Sequence, residues 1–126
     1  MLDAELTEEQ RIMVDTARRL GEEKFRPTAA KWDREGEVPV ENVKALSEAG
    51  FLGMCVPEAY GGPGASTVDL VLVLEQVSRS CANTGMIMGC ADGATPRAIV
   101  ALGSEELKRR YLPGIPSGEW LPAWSI

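Results

Sequence analysis

One run of ten residues constrains this chain more than any other. From Val68 to Val77 it reads Val-Asp-Leu-Val-Leu-Val-Leu-Glu-Gln-Val, apolar almost all the way round a helix. Such a helix must be covered on most sides, so it is expected at the centre of the fold. Ser66-Thr67-Val68-Asp69 opens it. The other elements have to be helices or turns that can wrap around it.

The flanking sequence supplies them. Thr7-Glu8-Glu9-Gln10 fits a capping box, and Ile12, Met13, Thr16, Ala17 and Leu20 follow at amphipathic helical spacing. Pro27 kinks or restarts this helix, which continues through Trp32 and ends near Gly36. Pro39 suits the first position of the next helix, expected to bury Val40, Val43 and Leu46 and to stop at Gly50. Phe51 to Pro57 reads as a short apolar extended segment, followed by a turn-rich loop from Glu58 to Gly64. A further helix is expected from Asn83 to Leu102, disturbed by Gly93 and Pro96. A short last helix runs from Ser104 towards Tyr111, and Trp120 to Ile126 looks like the start of a β-strand. The pattern predicts an all-α bundle with an orphaned strand.

Composition narrows the chemistry. The net charge is −6, without a long run of either sign, which argues against a nucleic-acid surface. Lys108-Arg109-Arg110 reads as a solvated helix face. No stretch of apolar residues is long enough for a membrane span. Met1-Leu2-Asp3-Ala4-Glu5 lacks a signal pattern, so a cytoplasmic location is expected. Cys55, Cys81 and Cys90 have no C-x-x-C spacing, so neither a disulfide framework nor a metal site is expected. Cys81 and Cys90 are expected to be buried, unreactive thiols. The chain has no histidine, so no imidazole base acts from it.

Two motifs remain. Gly61-Gly62-Pro63-Gly64 lacks the Lys and Ser/Thr of a phosphate loop and reads as a turn. Met86 and Met88 read as core or pocket lining. Asp92 stands alone in Met86-Ile87-Met88-Gly89-Cys90-Ala91-Asp92-Gly93-Ala94, an otherwise uncharged stretch. A buried, unpaired carboxylate shifts its pKa upward or performs a task. The alternatives are that Asp92 faces solvent, or caps a helix restarting near Thr95-Pro96. In a continuous helix, Thr84, Met88, Ala91, Asp92 and Thr95 share one face.

Taken in order, several segments resemble the acyl-CoA dehydrogenases. They are Leu6-Thr7-Glu8-Glu9-Gln10, Pro27, Trp32-Asp33, Gly36-x-x-Pro39, Gly50-Phe51-Leu52-Gly53 and Val56-Pro57-Glu58-x-Tyr60-Gly61-Gly62-x-Gly64. Gly103-Ser104-Glu105-Glu106-Leu107-Lys108, Tyr111-Leu112-Pro113 and Gly118-Glu119 continue the match. The resemblance implies an orthogonal helix bundle, the family's N-terminal domain, over residues 1–122, with 123–126 beginning a middle β-domain. A third, C-terminal domain carries the usual catalytic glutamate in that family. It also implies FAD as cofactor, an acyl-CoA substrate, an electron-transfer flavoprotein as oxidant, and a homotetramer. The reaction is removal of a proton with hydride transfer to flavin N5.

By the same resemblance, Trp124 and Ile126 approach the flavin, and Met88, Ala91, Asp92 and Thr95 belong to the acyl-pocket wall. Many relatives have an amide followed by Ser-Leu where this chain has Asp92-Gly93-Ala94. That departure favours a compact or cyclic acyl group with Asp92 as catalytic base, and resembles the branch acting on cyclohexene-carboxyl-CoA. A flavin oxidase or monooxygenase on the same scaffold, or a non-catalytic helical interaction module, are the competing readings.

Overall fold

The computed structural model describes residues 6–125. Met1 to Glu5, on which the reading of the N-terminus rests, and Ile126 lie outside the described residues. Seven α-helices are described: α1 (Glu8–Leu20), α2 (Ala29–Glu35), α3 (Val40–Glu48), α4 (Thr67–Ser80), α5 (Ala82–Asp92), α6 (Ala94–Leu102) and α7 (Glu105–Tyr111). The all-α architecture is the one expected.

The central helix α4 packs against α1 on one side and α5 on the other. Leu70, Leu72, Val73 and Val77 are buried in the core. Its apolar surface is nevertheless not covered all round, because Val68 and Val71 are 55% and 56% exposed.

Helices α1 and α4 run in the same direction. Gln10 Nε2 donates to Asp69 Oδ1 at 2.9 Å near their starts, and Arg18 Nε donates to Gln76 Oε1 at 3.4 Å further along. Parallel alignment brings two positive helix N-termini together, which is unfavourable unless both ends are neutralised. Both helices carry a complete capping box, Thr7 with Gln10 and Ser66 with Asp69, and Glu8 and Glu9 add negative charge to the first turn of α1.

After α1 the chain makes a π-helical turn over Gly21–Phe25 and a 3₁₀ turn over Arg26–Thr28 that contains Pro27. This is the disturbance expected at the proline, spread over two turns. Phe25 is fully buried, and Gly21 sits so close to α4 that a Cβ there would lie 2.5 Å from Ser80 Oγ. Gly36, left-handed at φ 64°, then ends α2 as expected.

Three expectations need correction. Pro39 caps α3 rather than opening it, and Val40 is exposed while Asn42, Val43, Ala45 and Leu46 are buried. Phe51 to Pro57 is not extended: Gly53, at φ 65°, folds it into a buried turn. The helix expected from Asn83 to Leu102 is two helices, because Gly93 leaves helical geometry at φ −85°, ψ −125°. Pro96 lies in the first turn of α6, where a missing N–H costs nothing.

No strand forms among the described residues, so the expected strand start at 123–126 is not seen at 123–125. A strand exists only by pairing with another. The segment instead returns along α7: Trp120 N–H donates to Gly114 O, and its ring meets Tyr111 edge-on at 5.6 Å.

Candidate functional site

Asp92 is the last residue of α5, and its side chain is fully buried. Its Oδ1 accepts the Cys55 N–H at 2.8 Å. Its Oδ2 has no hydrogen-bond partner among the described residues. The Gly53 and Met54 amides also turn towards the carboxyl and favour its charged form, as the Arg97 charge does. Among the described residues only the Cys55 N–H reaches hydrogen-bond distance, so the turn at Gly53 anchors one carboxyl oxygen and leaves the other without a donor. Burial outweighs these contributions and pushes the Asp92 pKa up to about 6.

Both bland readings of Asp92 fall on this geometry. It does not face solvent, and it does not cap α6, whose N-cap is Gly93 without a side-chain hydrogen bond. Its firm contact is across the chain, to a turn 37 residues away.

The other residues expected beside it divide into two groups. Met88 and Ala91 are fully buried and belong to the main core. Thr84 is buried too, with its hydroxyl accepting from Asn42 Nδ2 at 2.9 Å. Thr95 departs from that face because the break at Gly93 intervenes. It lines a groove of about 300 Å³ with Ile99, Tyr111, Trp120 and Leu121, and its hydroxyl donates to Ala123 O at 3.3 Å. Asp92 does not line that groove. Met86, expected as core or pocket lining, is 70% exposed and lines a groove with Asp33, Val38 and Ile87, away from Asp92. A Cβ on Gly89 would meet nothing within 4 Å, so open space lies one turn before Asp92.

Trp124 is 58% exposed in an irregular segment, while Ile126 falls outside the described residues. An exposed indole of this kind fits a planar aromatic partner. All three cysteines are free; Cys81 is buried and Cys90 only partly so. Burial first, then the Asp92 charge, push the Cys55 thiol up, so it is a neutral neighbour and not a nucleophile.

Sequence reasoning missed Cys55 and Arg97. Arg97 Nε donates to the Asp92 carbonyl at 3.3 Å, and its Nη2 donates to Thr67 Oγ1 at 3.1 Å and reaches Cys55 Sγ at 3.6 Å. A lone cation five residues after a lone acid, in an uncharged stretch, was the available signal.

Residues 7–119 match the family model for the acyl-CoA dehydrogenase N-terminal domain. The chain belongs to the acyl-CoA dehydrogenase family. Within that family it is 30% identical over 125 residues to the short-chain specific acyl-CoA dehydrogenase of Clostridium acetobutylicum, covering 99% of this chain and 33% of that protein. It is 43% identical over 105 residues to a 3-sulfinopropanoyl-CoA desulfinase of Paraburkholderia xenovorans, covering 83% of this chain and 27% of the relative. Its fold is similar to that of glutaryl-CoA dehydrogenase from Mycobacterium smegmatis, with a TM-score of 0.84 and 30% identity over 95% of this chain and 31% of that one. The chain thus spans about a third or less of the length of these relatives.

Proposed function

We propose that this chain is the N-terminal helical part, residues 1–122 with 123–126 leading into the next domain, of an FAD-dependent acyl-CoA dehydrogenase. Its substrate is a compact or cyclic acyl thioester, and Asp92 accepts the substrate proton. The observation that carries the reading is the split state of the Asp92 carboxyl. One oxygen is anchored by the Cys55 N–H, and the other is buried without a partner.

A general base needs a free lone pair, a fixed orientation and a pKa near the working pH. The anchored Oδ1 fixes the plane of the carboxyl, and Oδ2 keeps its lone pairs. With its pKa pushed to about 6 by burial, the group is mostly ionised at neutral pH and can still hold a proton. Gly89, where an added Cβ would meet nothing within 4 Å, leaves open space for a ring one turn before Asp92. Met88 and Ala91 support the wall from inside the core, whereas Thr95, beyond the break at Gly93, lines a separate groove.

Trp124, with Ile126 beside it in sequence, would hold the flavin, which supplies a two-electron acceptor when bound. An electron-transfer flavoprotein as oxidant and a homotetramer belong to the same proposal and rest on the family resemblance.

Asp92→Asn tests it, because the amide oxygen can keep the Cys55 N–H bond while losing basicity. In the complete enzyme, flavin absorbance and acyl-CoA binding should persist while turnover of cyclohexene-carboxyl-CoA falls by about 10²–10⁴-fold. Unchanged turnover would leave Asp92 as a clamp for the Gly53–Cys55 turn.

A second reading is favoured by the 43% identity to a desulfinase. It is an acyl-CoA reaction on this scaffold that removes a sulfino group rather than dehydrogenating. Consumption of 3-sulfinopropanoyl-CoA, with no flavin reduction by cyclohexene-carboxyl-CoA, would select it.

A further inference from the structure

We propose that Arg97 positions Asp92: one guanidinium grips the Asp92 carbonyl, the Thr67 hydroxyl and the Cys55 thiol, and so fixes the seat of the carboxylate. The inference rests on the reading of Asp92 as proton acceptor, and the experiment below separates the two.

The break at Gly93 leaves the final carbonyls of α5 without helical donors. Arg97 Nε supplies one to Asp92 itself, at 3.3 Å. The same side chain reaches sideways through Nη2 to Thr67 in the first turn of α4 and to Cys55 Sγ. Cys55 is also the residue whose N–H anchors Oδ1. Arg97 therefore ties together three segments: the α5–α6 break that carries Asp92, the Gly53–Cys55 turn that anchors it, and the start of α4. A planar guanidinium can donate in several fixed directions at once, whereas an ammonium acts as a point charge.

Its charge is also available to the site. Among the described residues no carboxylate oxygen lies within ion-pair distance of Arg97. The ionisable groups around Asp92 are Arg97 from α6, the neutral Cys55 thiol from the turn, and Asp69 from α4. Asp69 acts on Cys55 but spends its own oxygens on Ser66 and Gln10. The Arg97 charge favours ionised Asp92 against the burial that opposes it. The residue is exposed, so salt screens part of the effect.

The test uses the complete protein with Arg97→Met and Arg97→Lys. Titration of Asp92 is read from the infrared carbonyl band of its protonated form, assigned by its loss in Asp92→Asn. Arg97→Met should raise the Asp92 midpoint by about half to one pH unit. Arg97→Lys should keep the midpoint within a few tenths of a unit while turnover drops about ten- to a hundredfold, because the charge survives and the fork does not. High salt should move the wild-type midpoint towards that of Arg97→Met. An unmoved midpoint in Arg97→Met overturns the inference. Should that variant not fold, an unmoved wild-type midpoint between low salt and about 1 M salt overturns it. A midpoint that moves without the acid limb of kcat/KM following would refute Asp92 as base and leave Arg97 standing.

Discussion

Two aspartates at helix ends, Asp69 and Asp92, show how differently one side chain can serve a fold. Asp69 stands in the first turn of α4, where it accepts from the Ser66 hydroxyl at 2.6 Å, the Ser66 N–H at 3.1 Å and Gln10 Nε2 at 2.9 Å. The Ser66 bond first, and then the Gln10 bond, hold its carboxyl below the usual range. Asp92 stands at the opposite polarity, at a helix C-terminus, where negative charge is disfavoured. It is buried with one oxygen satisfied and the other not. Asp69 is a cap that strengthens the fold as an anion. Asp92 as an anion strains it, which is the condition expected of a group kept for chemistry.

The two therefore respond to pH with opposite sign. The contribution of Asp69 is present above the ordinary carboxylate pKa and is lost as pH falls through its lowered folded value. That of Asp92 is fully present below the ordinary pKa of 3.8 and is lost as pH rises through about 6.

The largest stability effect should come from Asp92→Asn. Compared with the wild type, the variant should gain up to about 3 kcal/mol between pH 4 and pH 8, read from denaturant midpoints in the two buffers. A constant difference across that range would break the contrast. Ser66→Ala should cost about 1 kcal/mol at pH 7, and less below the ordinary carboxylate range, where Asp69 no longer holds its charge. A penalty growing towards acid would show that Asp69 is not the stabilising anion described. The smallest effect should be Gln10→Ala, about 0.5–1 kcal/mol, since it removes one part-buried bond between α1 and α4 along with the return bond of the Thr7 box. A double-mutant cycle with Asp69→Ala should show coupling between the two positions, and additivity would mean the bridge carries nothing.

What the sequence makes legible here is local. Thr7 and Gln10 box the start of α1 because their partners are three residues away, and Gly36 stops α2 because no Cβ opposes its left-handed backbone. The isolation of Asp92 could be read too, since a lone acid in an uncharged stretch is visible without coordinates. What stayed hidden depends on distant partners. The Phe51–Pro57 run looks extended by composition, yet its amides turn inward to a carboxyl 37 residues on from Cys55. Thr95 looked like a neighbour of Asp92 only while the helix was drawn unbroken through Gly93. Val40 and Val71 are apolar but exposed, and hydrophobicity alone cannot say which stripe of a helix finds a partner.

The π-turn over Gly21–Phe25 carries a consequence for how this chain tolerates insertions and deletions. Such a turn holds one residue more than the α-turn it interrupts. The turn absorbs that residue, because five π-helical residues sweep about the same angle as four α-helical ones. Arg26 N–H donates to the Gly21 carbonyl across it. A chain one residue shorter between Gly21 and Lys24 could close as ordinary α-helix and leave Phe25 in its place in the core. Length at this point is therefore read less strictly than the identity of Phe25, and Glu22, Glu23 and Lys24 are themselves exposed.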